Sequence, residues 1–325
     1  MTSKLSKNTF SESTSLDSPE PVDLEVNTRR LQTYSIEALR VGRVVERIYV
    51  NHPAFVRGLR ALDRLFQMGT EMEAPHGCRL IGPPGSGKTA LFRYFQESLP
   101  QSALFTSDLG VVGLRVPKTP QPGLLIREFL RMLRYPFAAG SYKQLYERRQ
   151  LVFEALAANR TRLVWLDEAH HLLPRHISKQ REREESESIE LLRELMDVCR
   201  VSLVLAGSSE LDNLPSIAPH FASRIASREA LDVFPLDINW LGFLKAFSSK
   251  ITVFDGQLIA DRKFGTLLHI ATDGNLRGFK QLIVESILIA YDNKQLSLTP
   301  DNFAQAFRLV FGHACSRNNP FDAAQ

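Results

Sequence analysis

Apolar residues recur at helical spacing near the start of the chain. The pattern predicts two amphipathic helices, over residues 35–50 and 51–69. Asn51 or His52 would cap the second helix, and Pro53 suits its first turn. Residues 35–69 are therefore predicted to be helical.

From residue 78 the pattern changes to short apolar runs that alternate with helical periods. The runs that predict strands are 78–82, 111–116, 162–167 and 201–207. The segments with helical periods between them are 87–99, 122–134, 141–159 and 187–199. This alternation is typical of a mainly parallel sheet with helices on both faces. After Pro235 the strand signals fade and only helical periods remain, which predicts a smaller helical domain.

The composition sets limits on the class of protein. Hydrophobic residues make up 44% and charged residues 23%, ordinary values for a soluble globular protein. No apolar run predicts a membrane span or a signal peptide. Cys78, Cys199 and Cys315 form no disulfide framework or metal motif, which fits a reducing cytoplasm. The net charge of +4 permits nucleic-acid binding without demonstrating it.

Residues 82–89, GPPGSGKT, match the phosphate-binding pattern GxxxxGK[ST] in full. The motif follows a predicted strand and precedes a predicted helix. Glycines let the backbone wrap a phosphate, and the helix N-terminus favours its negative charge. Lys88 is predicted to reach the β- and γ-phosphates of ATP, and Thr89 to offer its hydroxyl to Mg²⁺. The predicted ATP-binding residues are Gly82, Pro83, Pro84, Gly85, Ser86, Gly87, Lys88, Thr89 and Ala90.

The apolar run LVWLD, residues 163–167, has the pattern of a Walker B strand. Asp167 is predicted to hold Mg²⁺, and Glu168 to polarise the attacking water as general base. A second acid beside the first favours hydrolysis over binding alone. His170 and His171 have no comparable reason for a role. We expect packed or solvated imidazoles at a helix start; sensing of the γ-phosphate or contact with a neighbour is the alternative.

Residues 167–170 spell DEAH, which also names a class of helicases. Such a helicase closes two RecA-like domains around one nucleotide. The residues after Asp167 predict one more strand pair and a helical bundle, which leaves no room for a second RecA-like domain. The helicase interpretation is therefore disfavoured.

An AAA+ ATPase has the same order of elements as this chain. Ser208 and Ser209 follow the strand 201–207, and Ser208 is the one predicted as sensor 1. This polar residue would lie between the two Walker motifs and contact the γ-phosphate. Arg224 and Arg228 precede the last predicted strand, where an arginine would enter the neighbouring subunit's site and stabilise transition-state charge. The choice between them stays open, and local salt bridges are the alternative. Arg277, near the start of a lid helix, resembles sensor 2; an ordinary surface arginine is the alternative.

The predicted fold class is α/β, with a P-loop AAA+ core whose parallel sheet is flanked by helices and is followed by a small all-helical lid. Residues 1–27, rich in Ser, Thr, Asp, Glu and Pro, predict a disordered N-terminal tail. The other expected domains are a helical N-terminal lead-in (28–75), the AAA+ nucleotide-binding core (76–236), the helical lid (237–312) and a C-terminal tail (313–325).

Residues 28–312 resemble the TniB/TnsC-type AAA+ ATPases of transposons. The segments that carry the resemblance are VNHPAF (50–55), RVPKTPQPGLLIREFLRMLRYP (115–136), LVWLDEAHHLL (163–173), LAGSSEL (205–211) and FASRIASR (221–228). The resemblance implies a bacterial cytoplasmic protein that uses ATP and Mg²⁺ to form homo-oligomeric rings or helical filaments on double-stranded DNA. It implies that the oligomer connects a TniQ- or TnsD-type target selector to a DDE transposase, with no membrane involved. The short lid resembles compact or CRISPR-associated versions.

The same resemblance implies which residues contact DNA. Arg115, Lys118 and Thr119 match the position of the family's DNA-tracking loop, where phosphate contacts give affinity without sequence readout. A solvated connecting loop is the alternative. Arg148 and Arg149 are second candidates, with a solvated helix face as the alternative. The mixed charges of segment 174–190 predict a solvated face. The alternative is that the segment contacts a neighbouring subunit or DNA through Arg175, Lys179, Arg181 and Arg183.

Two other functions remain open. One is a helicase-loading or replication-initiation ATPase, although such loaders usually carry an extra N-terminal domain or a C-terminal winged helix that neither end of this chain predicts. The other is a nucleotide-gated interaction switch with little turnover.

Overall fold

The computed structural model describes residues 33–69, 71–74, 76–99, 110–135, 145–174, 186–312 and 318–322. The predicted tail 1–27, most of the predicted tail 313–325 and the basic residues Arg175, Lys179, Arg181 and Arg183 lie outside this range. No described helix has the length and apolar character that a membrane crossing requires.

The described chain has five strands, thirteen α-helices and two short 3₁₀ helices, Ala169–Leu172 and Ser209–Asn213. The strands are β1 Gly77–Ile81, β2 Val111–Arg115, β3 Leu163–Asp167, β4 Ser202–Gly207 and β5 Ser227–Ala230. The helices up to β5 are α1 Ile36–Glu46, α2 Pro53–Met68, α3 Lys88–Ser98, α4 Pro122–Met132, α5 Leu145–Ala158, α6 Glu187–Cys199, α7 Leu214–Ile217 and α8 Pro219–Arg224. The later helices are α9 Ile238–Ser248, α10 Gln257–Ala260, α11 Arg262–Thr272, α12 Leu276–Asp292 and α13 Pro300–Phe311.

The five strands form one parallel sheet in the order β2-β3-β4-β1-β5. Because all strands run the same way, their carboxyl ends meet at one edge, where ligands of open α/β sheets bind. β4 lies between β1, which leads into the phosphate loop, and β3, which ends in Asp167. The predicted parallel sheet with flanking helices and a helical C-terminal region is confirmed.

Helices cover both faces of the sheet. On one face, α2 and α3 pack Leu65 and Phe95 in the same cluster as Leu80 of β1. Phe92 of α3 stacks on Trp165 of β3, with ring centroids 4.7 Å apart. On the other face, α4, α5 and α6 pack against β3 and β4. The side chains buried between them include Phe129 of α4, Leu156 of α5, Leu192 of α6 and Leu205 of β4. These contacts remove nearly all apolar side chains of the central strands from water, which is the main source of the sheet's stability.

The helical lid, α9 to α13, has a core of its own built on aromatic side chains. Trp240, Phe247 and Phe279 are fully buried in it, and the indole of Trp240 donates to the Gly265 carbonyl oxygen at 2.8 Å. Helix α1 joins this core through Val45, whereas α2 belongs to the sheet. The Ser35 hydroxyl, at the cap of α1, donates to Asp292 at 2.6 Å. The lead-in is therefore divided between the two cores.

The connection between α1 and α2 is buried under the same lid. His52 caps α2, since its Nδ1 accepts from the Phe55 N–H at 3.4 Å. Its ring lies edge-on to Phe234, with centroids 4.8 Å apart. Burial among these rings lowers the pKa of His52 to about 4. His52 is therefore neutral near pH 7, as a packed capping residue should be.

Candidate nucleotide site

The phosphate loop, residues 82–87, connects β1 to α3 at the carboxyl edge of the sheet. Gly85 and Gly87 have φ of 81° and 101°, in the left-handed region that favours glycine. Helix α3 begins at Lys88, and no side chain caps its N-terminus. The N–H groups of its first turn are therefore open to an anion, as the sequence predicts for a phosphate site.

Lys88 is held at the mouth of this loop. Its amine donates to the carbonyl oxygens of Gly82 at 2.5 Å and Pro83 at 3.0 Å. Burial lowers the pKa of Lys88; Arg277 lowers it further, while Asp167 and Glu168 raise it. The residues predicted to surround the γ-phosphate thus already influence one another electrostatically in the fold.

The two predicted Mg²⁺ ligands are adjacent. The Thr89 hydroxyl donates to Asp167 Oδ2 at 3.1 Å. Both groups offer oxygen atoms, which Mg²⁺ prefers. In addition, Ser86 Oγ in the loop and Ser208 Oγ after β4 are buried and have no hydrogen-bond partner among the described residues. These donors and acceptors fit a nucleotide phosphate with its metal.

Glu168 follows β3 with a φ of 54°, which starts a tight turn over Ala169–Leu172. Its Oε1 lies 3.9 Å from Arg115 Nη2, and its Oε2 lies 3.6 Å from His170 Nδ1. Arg115 ends β2 directly beside Asp167 in the strand register, and its side chain is 71% exposed. The family resemblance implies that Arg115 contacts DNA; in the fold its guanidinium faces the predicted general base.

His170 joins the Walker B turn to the sensor-1 position. Its Nδ1 accepts from the backbone N–H of Ser208 at 3.4 Å. Burial lowers the pKa of His170, with a smaller contribution from the ring of His171. This contact follows from the position of β4 beside β3, which no local pattern encodes, so sequence reasoning missed it.

The lid closes directly on the phosphate loop. Asn275, the cap of α12, donates from Nδ2 to the Pro84 carbonyl oxygen at 2.8 Å, and the Arg277 N–H donates to the Gly85 carbonyl oxygen at 3.1 Å. A Cβ on Gly85 would lie 2.3 Å from Asn275 Oδ1, so this approach requires glycine. Arg277, the predicted sensor 2, is exposed beside the loop. Asn275 was not predicted, although an Asn before a helical period is a capping signal.

Arg224 and Arg228 both make bidentate ion pairs within the chain. Arg224, at the end of α8, bonds Asp197 of α6 at 3.1 and 2.9 Å. Arg228, on β5, bonds Asp212 at 2.8 and 3.0 Å. Both arginine side chains lie partly exposed. The choice between them as finger stays open.

The remaining predicted DNA contacts fall in two places. Lys118 and Thr119 are exposed in the connection between β2 and α4. Arg149, on α5, pairs with Glu194 of α6 and lies over the Phe153 ring, 5.6 Å from its centroid; Arg148 beside it is half-buried. Lys118 is therefore the more accessible candidate.

Comparison with known proteins agrees with this geometry. The family model described as bacterial TniB protein matches residues 40–232, more than half of the chain. The chain belongs to the TniB family. The match covers the phosphate loop, both Walker acids, Ser208, Arg224 and Arg228. No curated protein matches this TniB chain.

Solved structures with the same fold include ORC and Cdc6 proteins. Aeropyrum pernix ORC2 in its ADPNP–ADP complexes matches at 18% identity and a TM-score of 0.58, over 85% of this chain and 72% of that one. Cdc6p from Pyrobaculum aerophilum matches at 17% identity and a TM-score of 0.56, over 81% of this chain and 69% of that one. Aeropyrum pernix ORC1 in complex with DNA matches at 19% identity and a TM-score of 0.54, over 81% of this chain and 67% of that one. At these identities the likeness concerns the fold, which is that of an AAA+ ATPase.

Proposed function

We propose that this TniB protein is an ATP-hydrolysing, DNA-binding regulator of transposition. It assembles on duplex DNA as a ring or helical filament and couples a TniQ- or TnsD-type target selector to a DDE transposase. The observation that carries the proposal is the convergence of the phosphate loop, Asp167, Glu168, Ser208 and Arg277 at one sheet edge, in a member of this family. That Aeropyrum pernix ORC1, of the same fold, was solved in complex with DNA supports the DNA-binding part.

The chemistry assigns one role to each group. The open N–H groups of α3 and the Lys88 ammonium bind the phosphates, and Thr89 and Asp167 hold Mg²⁺, which neutralises phosphate charge when bound. Glu168 accepts a proton from the attacking water. Ser208 and Arg277 contact the γ-phosphate from β4 and from the lid. Arg224 or Arg228 acts in a neighbouring subunit's site, which makes turnover depend on assembly.

Arg115 offers a test of how DNA and hydrolysis are connected. Because its guanidinium lies 3.9 Å from the Glu168 carboxylate, Arg115→Ala should free the base and raise DNA-independent ATP turnover. An exposed ion pair contributes about 0–1 kcal/mol, so we expect a rise of up to about fivefold. Steady-state phosphate release without DNA measures it. Arg127→Ala, which replaces an exposed arginine of α4, is the control. An unchanged rate in Arg115→Ala would show that Arg115 does not restrain Glu168.

Lys118→Ala should weaken duplex binding to a similar degree on all sequences. A lysine that contacts a phosphate releases counterions on binding, so its removal lowers the slope of log affinity against log salt by about one. Fluorescence anisotropy with two unrelated duplexes at several salt concentrations measures both effects. Lys263→Ala, exposed on the lid helix α11, is the matched control. A loss confined to one sequence would show that Lys118 reads bases instead.

A replication-initiation type ATPase is the second candidate, since ORC and Cdc6 proteins are among the solved structures that match. The two functions differ in their partners. The proposal predicts a transposase gene and a TniQ-like gene beside this one, and co-purification of the protein with their products in the presence of ATP and DNA. Co-purification with a replicative helicase in place of the transposase would favour the second candidate.

A further inference from the structure

Three side chains of the Walker B turn lie close enough together to share one cation, and none of them is a proposed Mg²⁺ ligand. Glu168, His170 and His171 each offer one ligand atom, and these atoms lie within 4.8 Å of one another, the one such group of His, Cys, Asp and Glu side chains in the described chain. Two imidazole nitrogens with a carboxylate suit Zn²⁺ and similar transition metals, whereas Mg²⁺ requires oxygen ligands.

The turn itself brings the ligands together. The His171 N–H donates to the Glu168 carbonyl oxygen at 3.0 Å, which closes a tight helical turn. In such a turn side chains three residues apart lie on the same side, so Glu168 and His171 share a face. His170 Nδ1 and Glu168 Oε2 are 3.6 Å apart, close to the separation of about 3.4 Å between two ligands of a tetrahedral zinc ion.

His171 also has the outer contact typical of a metal ligand. Its Nδ1 lies 3.3 Å from the Val116 carbonyl oxygen. A carbonyl oxygen only accepts, so the proton sits on Nδ1 and the Nε2 lone pair is free. Histidine ligands commonly donate their second ring N–H to a carbonyl in this way, which fixes the ring and the tautomer.

We propose that Glu168, His170 and His171 bind Zn²⁺ or a similar transition-metal ion, and that this ion inhibits hydrolysis. The inhibition rests on the proposed function, because it works by withdrawing the carboxylate of the general base. Binding at His170 Nδ1 also competes with the 3.4 Å hydrogen bond from Ser208, so the sensor-1 position loses its contact with the turn. Excess Mg²⁺ does not relieve the inhibition, because Mg²⁺ does not compete for imidazole nitrogen.

Direct metal binding tests the site separately from hydrolysis. The nucleotide-free protein is titrated with ZnCl₂ by calorimetry in excess Mg²⁺, and with CoCl₂ by visible absorption. The wild type should bind one ion with the absorption of a nitrogen- and oxygen-coordinated Co²⁺. His171→Gln and Glu168→Gln should each lower the affinity about tenfold or more, and His76→Gln, an exposed histidine outside the cluster, should leave it unchanged. Equal affinity in His171→Gln and the wild type would overturn the proposal, even if ATP is hydrolysed as proposed.

Phosphate release with increasing ZnCl₂ at fixed Mg·ATP then tests the inhibition. Each variant is compared with its own zinc-free rate. The half-inhibitory concentration should rise about tenfold or more in His171→Gln but not in His76→Gln. Inhibition that raising Mg²⁺ reverses would place zinc at Thr89 and Asp167 and contradict the proposal.

Discussion

Glu168→Gln is expected to lower ATP turnover at least about 100-fold while ATP binding stays within about twofold of wild type. The amide keeps the size of the side chain but cannot accept a proton from the attacking water. The phosphate loop, Thr89 and Asp167 are unchanged, so the nucleotide still binds. Phosphate release at saturating Mg·ATP, with and without duplex DNA, measures turnover, and a fluorescent ATP analogue measures binding.

The matched control is Glu187→Gln, in the exposed first turn of α6. It makes the same chemical change outside the site and should leave turnover unaltered. If Glu168→Gln hydrolyses ATP at the wild-type rate, then Glu168 is not the base. If, in addition, duplex DNA does not stimulate turnover, the protein would fit the nucleotide-gated switch with little turnover.

Replacing the arginine finger is expected to lower turnover about 100-fold or more and to leave ATP binding intact. Arginine fingers that act in trans accelerate phosphoryl transfer about 10³- to 10⁵-fold in the best-studied cases, so the loss is large. Arg224→Ala and Arg228→Ala are the two variants, and one of them should show it. Wild-type turnover per chain should also rise with protein concentration, because the site is complete only between subunits.

The ion pairs with Asp197 and Asp212 require a control of their own. Alanine at either arginine removes the bidentate partner of an aspartate and changes the local charge balance; among the described residues, Asp212 then keeps only Arg79, at 4.0 Å. Asp197→Asn and Asp212→Asn remove the carboxylate of the same ion pairs and keep the arginine. They should leave turnover near wild type. If Asp197→Asn lowers turnover as much as Arg224→Ala does, then the pair is structural and Arg224 is not the finger.

The sequence predicted those parts of the site that depend on neighbours in the chain. The phosphate loop needs two left-handed glycines before a helix, and GPPGSGKT encodes both. The Walker B acids end an apolar strand, and the pattern LVWLDE encodes that. The alternation of strands and helices was enough to predict the parallel sheet, since parallel strands need helical crossovers.

Other contacts depend on which elements lie side by side. The bond from Ser208 to His170 exists because β4 inserts between β1 and β3, and the pair of Arg115 with Glu168 exists because β2 lies beside β3. Asn275 reaches Pro84 across 191 residues of chain. The helix α1 looks like part of a lead-in from its position, but its apolar face fits the lid core. Hydrophobic periodicity predicts that such a face is buried, but it does not predict which element covers it.

A hydrolytic site shared between subunits can be tested by measuring turnover in a mixture of two inactive proteins. Glu168→Gln keeps the finger, and the inactive arginine variant keeps Glu168. In a randomly mixed 1:1 assembly about a quarter of the interfaces combine an intact Glu168 with an intact finger. We expect turnover to rise well above the sum of the two proteins measured separately, towards about a quarter of the wild-type rate. Turnover equal to that sum at every ratio would contradict it.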